Sequence, residues 1–185
     1  ELDRAFDSME KLQDVIQQIV AGCNRVVNEA SPIVDARLSN GARVNIVMSP
    51  IALNGPIITI RRFPDKPITM QKLIAMETIS PEAAEFLKTL VKAGYNIFVS
   101  GGTGSGKTTF LNVLSGFIPP EQRIITIEDS AELQLQGIPN LVRLETRNGN
   151  AEGCREIGIR ELIRSSLRMR PDRIIVGAVR GAGAI

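Results

Sequence analysis

The chain has 185 residues, 43% of them hydrophobic, with one tyrosine and no tryptophan, so one large or two small domains must build their core from Ile, Val and Leu. A net charge of +2 is too small to point to a polyanion partner, and the absence of histidine excludes a Cys/His zinc site and a histidine general base. Cys23 and Cys154 make neither a disulfide framework nor a metal motif and fit a reducing cytosol; the charged start Glu1-Leu2-Asp3-Arg4 reads as no signal peptide, and no apolar run nears the roughly 20 residues of a membrane helix.

In chain order, Leu2, Phe6, Met9, Leu12, Ile16, Ile19 and Cys23 recur every three or four residues and predict an amphipathic helix ended by Gly22 and Asn24. Three strand-like runs follow, Ile33–Leu38, Arg43–Met48 and Pro56–Arg61, with Asn40-Gly41 and Asn54-Gly55 as turn signals. Residues 1–62 therefore read as a small α+β N-terminal domain with an antiparallel meander. Phe63-Pro64-Asp65-Lys66-Pro67 opens a linker, taken as 63–70, before a second domain over 71–185. Thr69 is placed to cap a helix running through Met76. Ser80-Pro81-Glu82 starts another, with Ala84, Phe86, Leu87, Leu90 and Val91 as its buried face.

The stretch Tyr95–Leu114 carries the most information. An apolar run, Tyr95–Ser100, leads into Gly101-Gly102-Thr103-Gly104-Ser105-Gly106-Lys107-Thr108-Thr109, and a helical pattern follows. This is G-x-x-x-x-G-K-[ST] in its strand–loop–helix context. The glycines let the backbone approach an anion, and successive N–H groups then converge on phosphate with a helix N-terminus behind them. Lys107 is expected to reach the β- and γ-phosphates, and the Thr108 hydroxyl to ligate Mg²⁺.

Beyond the loop, Arg123–Ile127, Leu141–Leu144 and Arg173–Gly177 read as strands, and Ile159, Leu162, Ile163 and Leu167 mark a helix. Strands alternating with helices, several of them wholly apolar, argue an α/β fold on a parallel sheet. A nucleotide hydrolase needs a group to orient water and neutralise the metal's surroundings, and such acids stand at strand C-termini. Glu128, with Asp129 beside it, ends one strand. The strand Ile174–Gly177 ends instead in Ala178-Val179-Arg180-Gly181, without an acid. Residues 155–180 hold seven arginines against Glu156, Glu161 and Asp172. Arg160, Arg164 and Arg168 form a helical stripe that reads first as a solvated face, with Glu156 and Glu161 as pairing partners.

These segments together resemble the type II/type IV secretion-system ATPase superfamily, closest to the assembly ATPases of tight-adherence (Flp) pili. The carrying residues are Ser100–Thr109, the acidic box RIITIEDSAEL (123–133), LVRLETR (141–147), RMRPDRIIVGAVRG (168–181), and in the first domain SPIVDARLSNGARVN and GPIITIRRF. The resemblance implies a RecA-like P-loop NTPase core behind the N-terminal domain. It implies ATP and Mg²⁺ as ligands, with Gly101, Gly102, Thr103, Gly104, Ser105, Gly106, Lys107, Thr108 and Thr109 as the phosphate loop. By the same matching Glu128 is a catalytic or Mg²⁺-linked acid, and Arg61 reaches the nucleotide phosphates from the N-terminal domain.

The resemblance further implies a homo-hexamer on the cytoplasmic side of the inner membrane, peripheral to it. There it would drive pilin assembly or protein export through an inner-membrane platform protein, without direct contact to nucleic acid. The family writes Gly-Glu-x-Arg-Gly where Gly177-Ala178-Val179-Arg180-Gly181 stands, and usually has an acid near Gly183. Its downstream histidine-containing box would lie past Ile185, so the core is expected to be truncated. A second reading, a nucleotide-holding module without turnover, follows from Ala178 and that end. A third, a nucleic-acid translocase, requires basic loops carrying aromatics, and the arginine stripe has none.

Overall fold

Capping residues set the helix starts in the first half of the chain. In the computed structural model, which describes residues 3–23, 25–63, 67–147 and 155–177, helix α1 (Met9–Gly22) begins at Ser8, whose hydroxyl accepts from the Lys11 N–H at 3.1 Å. The sequence pattern placed the start earlier, through Phe6. The cap prevails because it satisfies an N–H that the helix leaves unpaired, and Phe6 and Met9 remain about half exposed. Thr69 and Ser80 cap α2 (Met70–Ala75) and α3 (Pro81–Ala93) as expected, through Lys72 N–H and Ala83 N–H.

The chain divides into two compact units, Glu1–Lys66 and Pro67–Ile185. In the first, strands β1 (Ile33–Arg37), β2 (Arg43–Val47) and β3 (Ile57–Arg61) form an antiparallel meander in that order. The Asn40-Gly41 turn closes β1 onto β2, with Asn40 Oδ1 accepting from Ala42 N–H at 3.0 Å. Ile16 and Val20 of α1 pack on Val34, Val44 and Ile46. The opposite sheet face carries three registered rows: Ile33–Val47–Ile57, Asp35–Asn45–Thr59 and Arg37–Arg43–Arg61.

In the second unit α2, α3 and α4 (Lys107–Ser115) share a core of Met70, Leu73, Ala84, Val91, Val113 and Leu114. Phe86, expected on the buried face of α3, is 64% exposed. It stands two residues from Ala84, on the opposite side of a helix whose inner stripe is Ala84, Leu87 and Val91.

Strand β4 (Ile124–Glu128) is buried along its whole length, with parallel partners on both edges: β5 (Leu141–Glu145) and β6 (Arg173–Val176). A strand with neighbours on both edges and cover on both faces favours apolar residues, and Ile124, Ile125 and Ile127 supply them, with Thr126 and Glu128 as its buried polar members. Arg123 pins the strand starts together. Its N–H and guanidinium donate to Asp172 Oδ2 at 2.7 Å, Met169 O at 2.9 Å and Asn140 Oδ1 at 2.7 Å.

One expected strand is not formed. The run 95–100 joins no ladder among the described residues. Both edges of β4 are taken, so a further strand could add only outside β5 or β6, and 95–100 occupies neither place. Its two-residue alternation survives: Ile97 and Val99 pack against the helical core while Phe98 is 92% exposed.

Candidate functional site

The glycine-rich stretch turns the chain from the 95–100 run into α4. Gly106 is the N-cap of α4, at φ 86° and ψ 14°, and no side chain caps this helix end. The left-handed conformation is one that glycine adopts without steric cost. The first amides of a helix lack partners within it, so this uncapped N-terminus presents them outward with the helix dipole behind. Residues 101–106 are exposed. Lys107 is the first helical residue, and its ammonium lies back over the loop, donating to Gly102 O at 2.6 Å. Thr108 and Thr109 follow in the first turn, half-buried. A Cβ added at Gly102, Gly104 or Gly106 would meet nothing within 4 Å, so the loop borders open space.

Glu128 is the last residue of β4 and is 2% exposed. Its Oε2 accepts from Glu132 N–H at 2.7 Å and Leu133 N–H at 2.8 Å, while Oε1 is buried with no hydrogen-bond partner. Burial pushes this carboxyl above its usual range. The two backbone N–H groups and the nearby Arg143 pull it back down, and Glu145 adds to the rise. A carboxylic group with a raised pKa and an unused oxygen is suited to taking or holding a proton. Its surroundings follow from strand register. Glu145 stands opposite Glu128, and Gly177 donates its N–H to Ile127 O, which brings its Cα beside the Glu128 stem. A Cβ at position 177 would lie 2.9 Å from Glu128 Cγ, so only glycine leaves the acid its place.

The helix that the loop begins is tied to the segment that follows Glu128. Leu111 of α4 packs against the cluster of Ile124, Leu133 and Ile175, and Asn112 Oδ1 accepts from Gln134 N–H at 2.9 Å. The sequence reading named neither Asn112 nor the roles of Arg143, Glu145 and Gly177. Two charges alternating along β5, Leu141-Val142-Arg143-Leu144-Glu145, were the available signal, since they share a face with Thr126 and Glu128 in the register. Asp129 turns elsewhere, its Oδ1 accepting from the Thr146 hydroxyl at 2.8 Å. Arg61 is the exposed last residue of β3, in the first unit and in register with Arg43. Ala178 and residues 179–185 lie outside the described residues.

The arginine stripe is shorter than expected. Helix α5 (Ile159–Ser166) carries Arg160 and Arg164, whereas Arg168 falls beyond its end. Glu161, expected beside Arg164, takes the guanidinium of Arg155.

These features fit a nucleotide phosphate group with its divalent metal: an uncapped helix N-terminus, a lysine ammonium, a threonine hydroxyl, and a buried carboxylate oxygen without a partner. Among the described residues no cluster of three or more carboxylate or thiol side chains could hold a metal alone. Mg²⁺ is commonly held by one or two protein oxygens together with substrate phosphates, and that division of ligands is what the residues here allow. No helix among the described residues is long and apolar enough to cross a membrane.

The chain is 42% identical over 177 residues to an uncharacterised protein of Methanocaldococcus jannaschii, covering 92% of this chain and 24% of that protein. It is 35% identical over 183 residues to the type IV secretion system protein PtlH of Bordetella pertussis (88% of this chain, 54% of PtlH). It is 31% identical over 174 residues to the conjugal transfer protein TrbB of Rhizobium radiobacter (92% and 51%). Among solved structures it is similar to the VirB11 ATPase of the Brucella suis type IV secretion system, at TM-score 0.46 and 29% identity, covering 95% of this chain and 56% of that one. The chain thus spans about half or less of the length of the curated relatives it matches. Residues 3–185 match the profile of the type II/IV secretion system protein family, and the chain belongs to that family.

Proposed function

We propose that this chain is the nucleotide-binding part of a secretion-system motor ATPase, with a RecA-like P-loop core over 71–185, a linker at 63–70 and an N-terminal domain over 1–62. In this reading Gly101–Thr109 binds ATP with Mg²⁺. The amides at the start of α4 receive the phosphates, the Lys107 ammonium exchanges the Gly102 carbonyl for phosphate oxygen, and Thr108 offers its hydroxyl to the metal. Bound Mg²⁺ neutralises charge that develops on the phosphates. Glu128 orients the attacking water through the oxygen that no protein group uses, and accepts its proton. The supporting observation is that the backbone holding Glu128 is hydrogen-bonded to the helix that the glycine loop begins, through Asn112 and Gln134.

Arg61 is assigned to nucleotide phosphate from the first domain. It is the exposed last residue of β3 and stands in a registered row with Arg37 and Arg43. The protein would work as a homo-hexamer at the cytoplasmic face of the inner membrane. Through a membrane platform protein it would drive export or pilin assembly, as the tight-adherence pilus motors that its motifs resemble do. A second reading, nucleotide binding without turnover, is favoured by the Ala178 that follows Gly177.

Calorimetric titration with MgATP tests the site. Lys107→Ala removes a charge-assisted contact of about 1.5–3 kcal/mol and is expected to weaken binding at least about tenfold with the fold kept. Unchanged affinity would sink the phosphate-loop assignment. Phosphate release by the same protein, and by its Ala178→Glu variant, separates turnover from holding. Near-background release by the parent with partial recovery in the Glu variant supports the second reading.

A further inference from the structure

The segment that follows β4 is neither helix nor strand, yet its amides are held in place. Four consecutive amides are each taken by a side-chain acceptor. Ala131 N–H donates to Glu145 Oε1 at 3.2 Å, Glu132 and Leu133 N–H to Glu128 Oε2 at 2.7 and 2.8 Å, and Gln134 N–H to Asn112 Oδ1 at 2.9 Å. From the other side Arg143 donates to Leu133 O at 2.9 Å. Three of these four side chains come from the sheet. Asn112 comes from α4, the helix that the glycine loop begins, and sits five residues past Lys107.

That placement has a mechanical consequence. Five residues of helix rise about 7.5 Å and move as a rigid piece. Leu111, beside Asn112, packs against the cluster that holds Leu133 with Ile124 and Ile175, so the helix meets this core by an apolar side chain as well as by the hydrogen bond to Gln134. The orientation of the Glu128 carboxylate is set by the two amides that hold Oε2, since Oε1 is held by no protein group. Whatever shifts the amides of 132–134 therefore re-aims Oε1.

We infer that Asn112 is a positioning residue that couples nucleotide occupancy at the start of α4 to the aim of the Glu128 carboxylate. The inference rests on the phosphate-site reading above and deepens it. A phosphate drawn to the amides at residues 107 and 108 pulls on the end of α4, and Asn112 passes that displacement to Gln134 and so to the pair of amides on Glu128. The residue type suits the role. A short side chain ending in an acceptor oxygen takes a backbone N–H at this reach.

The test is amide hydrogen exchange on the full chain, with and without Mg²⁺ and a non-hydrolysable ATP analogue, comparing the parent with Asn112→Ala and Asn112→Asp. In the parent the analogue slows exchange in both 101–110 and 131–136. In Asn112→Ala the basal exchange of 131–136 rises about fivefold, as loss of one hydrogen bond implies, and the analogue then slows 101–110 only. Asn112→Asp keeps an acceptor and restores the response of 131–136. A merely structural role would raise basal exchange in Asn112→Ala but leave the analogue's effect on 131–136 intact, and that result overturns the inference. So does an Asp variant that behaves like Ala, or a parent in which the analogue slows 101–110 alone. A parent showing no slowing at 101–110 overturns the phosphate-site reading itself and takes the inference with it.

Discussion

The glycine loop and the acid segment use the same chemical group in opposite ways. Around Gly101–Gly106 the backbone is exposed, and the α4 end it leads into has no capping side chain. At 131–134 the backbone N–H groups turn inward, each to an oxygen of Glu145, Glu128 or Asn112. The first arrangement leaves donors for something that arrives. The second uses them up, two of the four on one buried carboxylate. A site that binds an anion and then acts on it needs both, because the cradle must be vacant and the acting group must already be aimed. The difference also predicts how each region breaks: the loop through affinity, the acid segment through rate or stability.

The largest expected effect is on rate. Glu128→Gln keeps an oxygen for the Glu132 and Leu133 amides but cannot accept a proton. In a form of the protein that turns over ATP, phosphate release should fall by about 10²–10⁴-fold, while MgATP affinity measured by calorimetry stays within a few-fold. A Gln variant as fast as its parent would move the acid to another residue and make Glu128 a structural carboxylate of its loop.

Next comes packing, where two glycines can be set against each other. Gly177→Ala places a methyl 2.9 Å from Glu128 Cγ. Such overpacking typically costs about 1–3 kcal/mol, read as a lower denaturation midpoint. Gly102→Ala places its methyl where nothing lies within 4 Å, and a surface change of that kind is expected to stay within about 0.5 kcal/mol. Equal stability losses in the two variants would mean that the slot beside β6 is not tight. A binding loss confined to Gly102→Ala would sharpen the contrast between a loop read by ligand and a glycine read by its neighbour.

Much of this was legible in the sequence because the signals were local. The loop motif, the Thr69 and Ser80 caps, and the apolar runs of β4 and β6 all depend on residues a few positions apart. The shortfalls were long-range. Phe86 belongs to no inner stripe once the helix phase is fixed by Ala84 and Val91. The run 95–100 has a strand's alternation, but a ladder also needs a neighbouring strand within hydrogen-bonding distance, which no local pattern reports. Asn112 and Arg143 gained their roles from contacts to Gln134 and Leu133, 22 and 10 residues away. Glu128 itself stands out in the sequence by position, at a strand end. That its other oxygen lacks a partner could only be seen once the segment had folded over it.

The smallest effect is on stability alone and needs no nucleotide. Burial raises the Glu128 carboxyl above 4.5 in the folded chain. Between the unfolded value and that raised one, the folded state holds more protons than the unfolded state, so unfolding free energy falls as pH rises through that interval. The buried ionised form is the less favoured one, and its cost is fully present only once the pH exceeds the folded value. Gln at this position does not titrate. The stability of Glu128→Gln relative to its parent should therefore improve from pH 4 toward pH 7, by a small margin because the amides of Glu132 and Leu133 and the Arg143 charge offset part of the burial. Urea midpoints for both proteins at several pH values measure this directly. A difference that stays flat, or moves in the parent's favour as pH rises, would show that those two amides and Arg143 outweigh burial, with the carboxylate aimed and already ionised at little cost before any nucleotide arrives.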